Sequence, residues 1–202
     1  SKKILTKSKN KKIKIIDTGL FKKNISKKKS YNFKNKYILV IPEGIYDECK
    51  KLFEFSYQVA MENKDLRFIW RLHPVININK LKKILNFNID NIPKNIEISK
   101  KKLIEDSQKA SHVLYRGSAA VVDSIRFGCK PIYYIYKNQK YFDPIINFNF
   151  EKEIVKNNYE MKKLFKKHIT KAKRKNIIKK AKKFYNLAFG EINYRSVISS
   201  FS

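Results

Sequence analysis

Three short polar clusters, each following an apolar run, hold the residues best suited to chemistry: Pro42-Glu43-Gly44, Arg71-Leu72-His73-Pro74 and Arg116-Gly117-Ser118. In the last, Gly117 permits a tight turn and a close backbone approach. Ser118 then stands where a helix would begin, and its hydroxyl together with the free N–H groups of a first helical turn would cradle a phosphate. Arg116 would add a charge-assisted bond. Serine caps helices routinely, so the cluster taken alone fits plain capping as well. His73 is followed by Pro74, which fixes the chain behind it and aims the imidazole. A histidine so placed can donate to a phosphate or to a departing nucleotide oxygen, or simply satisfy a strand end. Glu43 could accept from hydroxyl groups or close a turn. Ala119 continues the Ser118 turn, and Asp123, five residues after Ser118, could reach a ribose hydroxyl or support the loop. His112 and His168 carry no comparable context.

The elements that must position these clusters alternate regularly from Tyr37. Tyr37–Ile41, Arg67–Leu72, Ile96–Ile98, His112–Tyr115 and Pro131–Tyr136 are short runs of strand formers. Between them, helical spacing covers 46–63, 79–86, Leu103–Ala110 and Ser118–Phe127, the last closed by Gly128. Continuous apolar strands separated by helices predict an α/β fold, a Rossmann-like parallel sheet of about five strands with helices on both faces. In such a sheet ligands bind beyond the carboxyl ends of the strands. All three clusters sit at those ends, and their convergence weighs more than any one of them. Two basic helices, 151–168 and 171–189, complete the expected architecture. The domains expected are 1–36, a basic linker or the end of a preceding domain; 37–150, the Rossmann-like domain; and 151–202, a basic helical extension packed on it.

Motif absences narrow the chemistry. The sequence has no Gly-rich phosphate loop of nucleotide-hydrolase or dinucleotide type, no Gly-x-Ser-x-Gly elbow, and no Asp-x-Asp pair to hold a divalent cation and diphosphate. No metal is therefore expected, and a bound nucleotide would have its phosphate charge met by protein groups alone. Cys49 and Cys129 each lie in an apolar pattern with no metal or disulfide spacing. They predict two buried thiols in a reducing compartment.

The net charge of +30, from 47 Lys and Arg against 17 Asp and Glu in 202 residues, favours polyanionic partners. Arginine occurs only at 67, 71, 116, 126, 174 and 195. The excess is thus lysine, in a background rich in Asn and Ile, as codon bias toward AT-rich DNA would give. That makes nucleic-acid reading by Arg forks a weaker expectation. No apolar run approaches the roughly 18 residues of a membrane span. From Lys162 to Lys183, lysines interleave with Leu164, Phe165, Ile169, Ile177 and Ile178, as on an interfacial helix. The alternative function is accordingly a polyanion-binding module for membrane surface or RNA, without catalytic activity.

Arg71-x-His73-Pro74 at a strand end, then the turn Tyr115-Arg116-Gly117-Ser118-Ala119-Ala120, then a strand opening Lys130-Pro131-Ile132, resembles the C-terminal domain of GT-B-fold glycosyltransferases. The bacterial sialyltransferase and polysialyltransferase families are similar, as are capsule transferases and CDP-glycerol glycerophosphotransferases, over residues 37–136. The resemblance implies a metal-independent transferase acting in surface-glycan synthesis, with a CMP- or CDP-linked donor as substrate and no cofactor. In it His73 would touch the leaving-group phosphate, and Pro42, Glu43, Gly44, Arg71, Pro74, Arg116, Gly117, Ser118, Ala119 and Asp123 would line the nucleotide site. Those families carry two adjacent hydroxyl residues where this chain has Ser118-Ala119. The resemblance further implies an acceptor-side base in an N-terminal domain of the same polypeptide, so nucleotide binding without turnover is expected of this piece. Its implied location is the cytoplasm, peripheral on the inner face of the membrane. A nucleotide-sugar epimerase of the same fold would need catalytic carboxylates that the sequence does not display.

Overall fold

A computed structural model describes residues 37–136, 143–146 and 151–166, with isolated helical positions at 172, 175, 176, 179 and 180. The expected tail 1–36 and most of the expected helix 171–189 lie outside the described residues. Six strands run β1 (Tyr37–Pro42), β2 (Arg67–Trp70), β3 (Ile96–Ile98), β4 (His112–Arg116), β5 (Lys130–Tyr134) and β6 (Glu153–Val155). They form one sheet in the order β3-β2-β1-β4-β5-β6, every neighbouring pair parallel. The sequence order therefore reverses between β1 and β4. That is the switch point where the loops of neighbouring strands diverge and leave a crevice.

Alternation along the strands divides two cores. Ile38 and Val40 of β1, Phe68 and Trp70 of β2, Leu114 of β4 and Ile132 of β5 pack beneath α1 (Tyr46–Glu62), α2 (Ile78–Ile84) and α5 (Asn158–Lys166). Their neighbours Leu39, Ile69, Val113, Tyr115 and Tyr133, all fully buried, point the other way. That side is closed by α3 (Leu103–Lys109) and α4 (Val121–Arg126), joined where Ser107 Oγ donates to Ser124 Oγ at 3.1 Å. The first core is strongly aromatic. Phe53 stacks on Trp70 with centroids 4.6 Å apart, Phe55 on Tyr134 at 4.1 Å, and Phe165 of α5 meets the His112 ring edge-on. Both cysteines are free and buried, and burial pushes the Cys49 thiol up to about 12 and Cys129 higher still.

The structure departs from the sequence expectation in two places. Residues 151–157, expected as helix, contain β6, because Ile154 and Val155 find an open sheet edge beside Tyr133 and Tyr134, and Glu153 pairs with Lys130. Helix resumes only at Asn158, and among the described residues β6 adds a sixth strand to the five expected. The helix expected from Ser118 begins at Val121. Its approach is a tighter turn in which Val121 N–H donates to Ser118 O at 3.2 Å and Val122 N–H to Ala119 O at 3.1 Å. Ser118 is consequently not the cap; Ala120 holds that position, with no side chain to donate or accept.

Trp70, 1% exposed and stacked on Phe53, carries much of the first core. Trp70→Ala should lower the unfolding free energy by about 3–5 kcal/mol. Urea unfolding followed by far-UV circular dichroism measures it; a loss under 1 kcal/mol would contradict this packing.

Candidate functional site

Parallel pairing brings the three clusters to one rim. Pro42 stands opposite Arg116 in the β1–β4 register, and Arg71 N–H donates to Val40 O at 3.0 Å, so the loops after β2, β1 and β4 leave the sheet side by side. Glu43-Gly44 is the middle of the three. On one side Gly117, at φ 74°, lies directly against the Glu43 side chain, and a Cβ on Gly117 would collide with that carboxylate. On the other side the His73 ring covers Gly44: a Cβ there would stand 3.0 Å from Nδ1 and 2.8 Å from Val75 Cγ2. The Glu43-Gly44 turn is thus wedged between the His73 loop and the Ser118 turn. Glycine at 44 and 117 is what lets all three approach.

Each side chain in this wedge is left with a free function. Val75 N–H approaches His73 Nδ1 at 3.4 Å, which assigns Nδ1 as acceptor and puts the ring proton on Nε2. Ser118 is buried, 6% exposed, and among the described residues its hydroxyl has no hydrogen-bond partner. Glu43 is half-buried, its carbonyl accepts from Cys49 Sγ at 3.1 Å, and its carboxylate likewise has no partner among the described residues. Burial, and then the nearby Glu48 carboxylate, raise the Glu43 acid above the ordinary range, while Arg116 and His73 pull it down.

The two arginines depart from their expected roles. Arg116, 1% exposed, gives its Nε–H to Glu48 in the first turn of α1, and Nη1 donates to Tyr134 O at 3.3 Å. Lys51 holds the other oxygen of Glu48 at 3.0 Å. Arg71 reaches sideways to the β3–α3 loop, bonding Asp106 at 2.9 Å and the Lys101 carbonyl. Asp106, 1% exposed, also accepts from Ser99 Oγ at 2.8 Å. Both arginines are therefore tied into internal ion pairs that brace the rim, Arg116 buried and Arg71 through Nη1. Pro74 and Ala119 are exposed in their loops, and Asp123 is half-buried in the first turn of α4.

Sequence reasoning missed Glu48. The signal was present as an acidic pair, Asp47-Glu48, in the first turn of α1, the place where acids offset a helix dipole. It also passed over Val75, 67% exposed, and Ile45, 55% exposed, which with Tyr136 set large apolar side chains in the loops that follow β2, β1 and β5. A further link stiffens the middle of the rim: Asn77 N–H donates to Tyr46 Oη at 3.1 Å, tying the start of α1 to the loop that carries His73.

No protein-family model matches the chain, and no curated protein matches it in sequence. Solved structures do. The glycotransferase of kitacinnamycin aligns with 90% of this chain at 9% identity and a TM-score of 0.58, over 46% of its own length. The glycosyltransferase SnogD from Streptomyces nogalater aligns with 84% at 10% identity and a TM-score of 0.51, over 44% of its length. A UDP co-structure of MnaA from S. aureus aligns with 98% at 14% identity and a TM-score of 0.50, over 55% of its length. The chain spans about half the length of these proteins. Its described domain shares with them a Rossmann-like α/β fold; the likeness does not single out sialyltransferases.

Two substitutions test the wedge and its brace. Gly117→Ala combines a positive φ with the Glu43 collision and should destabilise by about 1–3 kcal/mol. Adding Glu43→Ala should recover part of that loss, and a strictly additive double variant would mean the two do not touch. Glu48→Ala leaves Arg116 buried without its carboxylate and should cost about 3–5 kcal/mol, whereas Glu48→Leu with Arg116→Met should lie much nearer the wild type.

Proposed function

We propose that the chain is the donor-binding domain of a metal-independent GT-B glycosyltransferase, acting on a nucleotide-activated sugar in bacterial surface-glycan synthesis. The observation that carries it is the convergence of His73 and Ser118, 45 residues apart in sequence, on the two flanks of the Glu43-Gly44 turn at the switch point. A phosphate spanning that turn would accept from His73 Nε2–H on one side and from Ser118 Oγ–H and the turn N–H groups on the other. Such donors gain strength as charge builds on the departing phosphate oxygen, which is how a fixed polar site lowers the barrier to transfer. Arg71 and Arg116 act by holding the flanking loops. The acceptor hydroxyl would lose its proton to a base supplied by a second α/β domain of the same polypeptide.

The resemblance of the His-Pro and Ser turns favours a cytidine nucleotide, CMP or CDP. The fold neighbour solved with UDP favours a uridine nucleotide equally. Isothermal titration with CMP, CDP and UDP decides between them. At least one should bind, and His73→Ala and Ser118→Ala should each weaken it about tenfold, the worth of one charge-assisted hydrogen bond. A folded protein that binds none of the three would end this proposal.

A second activity has its own support at α5. Its inner face, Met161, Leu164 and Phe165, packs on the core, while Tyr159, 73% exposed, stands outside with the exposed Lys162 and Lys163. Among the described residues no helix is long and apolar enough to cross a membrane. An aromatic amid lysines suits the headgroup layer of an anionic bilayer, to which a peripheral enzyme on the cytoplasmic face would attach. Flotation with phosphatidylglycerol vesicles should retain the protein at low salt and release it as salt rises. Lys162→Glu with Lys163→Glu should weaken retention severalfold, and equal binding to neutral vesicles would exclude the electrostatic mode.

A further inference from the structure

The proposed site contains a difficulty of charge, and its resolution assigns a role to Glu43. A phosphate that touches both His73 and Ser118 must lie across the Glu43-Gly44 turn, because the turn is wedged between them. It then has the Glu43 carboxylate as its neighbour. Two like charges within roughly 4–6 Å disfavour each other's ionised form. Ordinarily an arginine would offset this, but Arg116 is bound to Glu48 and Arg71 to Asp106.

The groups facing Glu43 leave no other cation to take that part. From α1 come Glu48, which is already paired with Arg116 and Lys51, and Cys49, whose Sγ–H donates to the Glu43 carbonyl. From the β2 loop comes His73, and from β4 Arg116. Against the carboxylate itself lies Gly117, which has no side chain to donate. The Glu43 carboxylate has no hydrogen-bond donor among the described residues, so in the free protein only the charges of Arg116 and His73 favour its ionised form.

Resting on the proposed donor site, we infer that this rim takes up a phosphate together with one proton, carried by Glu43. The proton comes from solvent and forms an O–H bond on a Glu43 carboxyl oxygen. The acid then donates to a phosphoryl oxygen, converting a repulsive neighbour into a third donor beside His73 and Ser118. Burial and Glu48 already raise the Glu43 acid in the free protein, and a bound phosphate raises it further. The sign follows. Affinity is level below the free-protein value and falls about tenfold per pH unit above it, until the value in the complex is passed.

The test uses the full chain with UDP-glucose and CMP-N-acetylneuraminate, whose phosphate esters carry no proton that titrates between about pH 5 and 8. Calorimetry in buffers of different ionisation enthalpy counts protons bound on complex formation. The wild type should take up close to one proton in the middle of that range. Glu43→Gln, a neutral donor of the same shape, should abolish most of the uptake, flatten the pH dependence and bind about tenfold more tightly than the wild type near pH 8. His73→Gln separates the other titratable group, and if it alone removes the uptake, the proton belongs to His73 and the inference fails. Weaker binding by Glu43→Gln at every pH would make Glu43 an ionised acceptor of ligand hydroxyls and overturn it too. If the wild type binds neither nucleotide sugar, the donor-site proposal itself falls, a result distinct from binding without proton uptake.

Discussion

The parallel pairing of β1 with β4 is the constraint from which the rest follows. Two strands 74 residues apart, from Ile38 to His112, lie in register from Ile38 opposite His112 to Pro42 opposite Arg116. Both must therefore end at the same edge, and their loops must turn to opposite faces of the sheet, one into α1 and the other toward α4. A shift of one residue would turn Leu114 and Tyr115 to the wrong cores. It would also draw Arg116 away from Glu48, leaving a buried guanidinium without its carboxylate. Packing and electrostatics thus fix one register, and that register puts Gly117 against Glu43.

Much of this was legible in the sequence because parallel strands are buried on both faces and show as unbroken apolar runs. Tyr37–Ile41, Phe68–Trp70, Val113–Tyr115 and Ile132–Tyr134 are of that kind. β6 was not legible: three residues, Glu153-Ile154-Val155, in a lysine-rich stretch carry too little pattern to separate an edge strand from a helix. The start of α4 was missed because Ser118-Ala119-Ala120 is good helix-forming sequence, and only the chain's direction as it leaves β4 forces a tighter turn first.

The three clusters came to one rim as the topology required, yet their composition misled in one respect. Arginine beside glycine and serine invites assignment to a phosphate. What the sequence conceals is that Glu48 lies 68 positions from Arg116 and Asp106 lies 35 from Arg71. Such distant partners exist only once the chain has folded, and they convert two apparent ligand contacts into internal bracing. The groups left over are an imidazole N–H, a hydroxyl and a carboxyl. That is a sparse polar set for a chain of such charge, and most of the lysine excess lies elsewhere.

The apolar side chains on the rim have a consequence for how the molecule behaves in solution. Ile45, Val75 and Tyr136 expose hydrocarbon in the loops around the Glu43 turn, on a polypeptide of net charge +30. Mutual repulsion between molecules is strongest in dilute buffer, and counterions weaken it within a few ångströms as electrolyte is added. The tendency of hydrocarbon to leave water has no such dependence and is strengthened by sulfate or phosphate. Colloidal stability of the purified domain therefore runs opposite to intuition for a basic protein: added electrolyte weakens the repulsion that keeps molecules apart and leaves the hydrocarbon of this rim as eager to quit water as before.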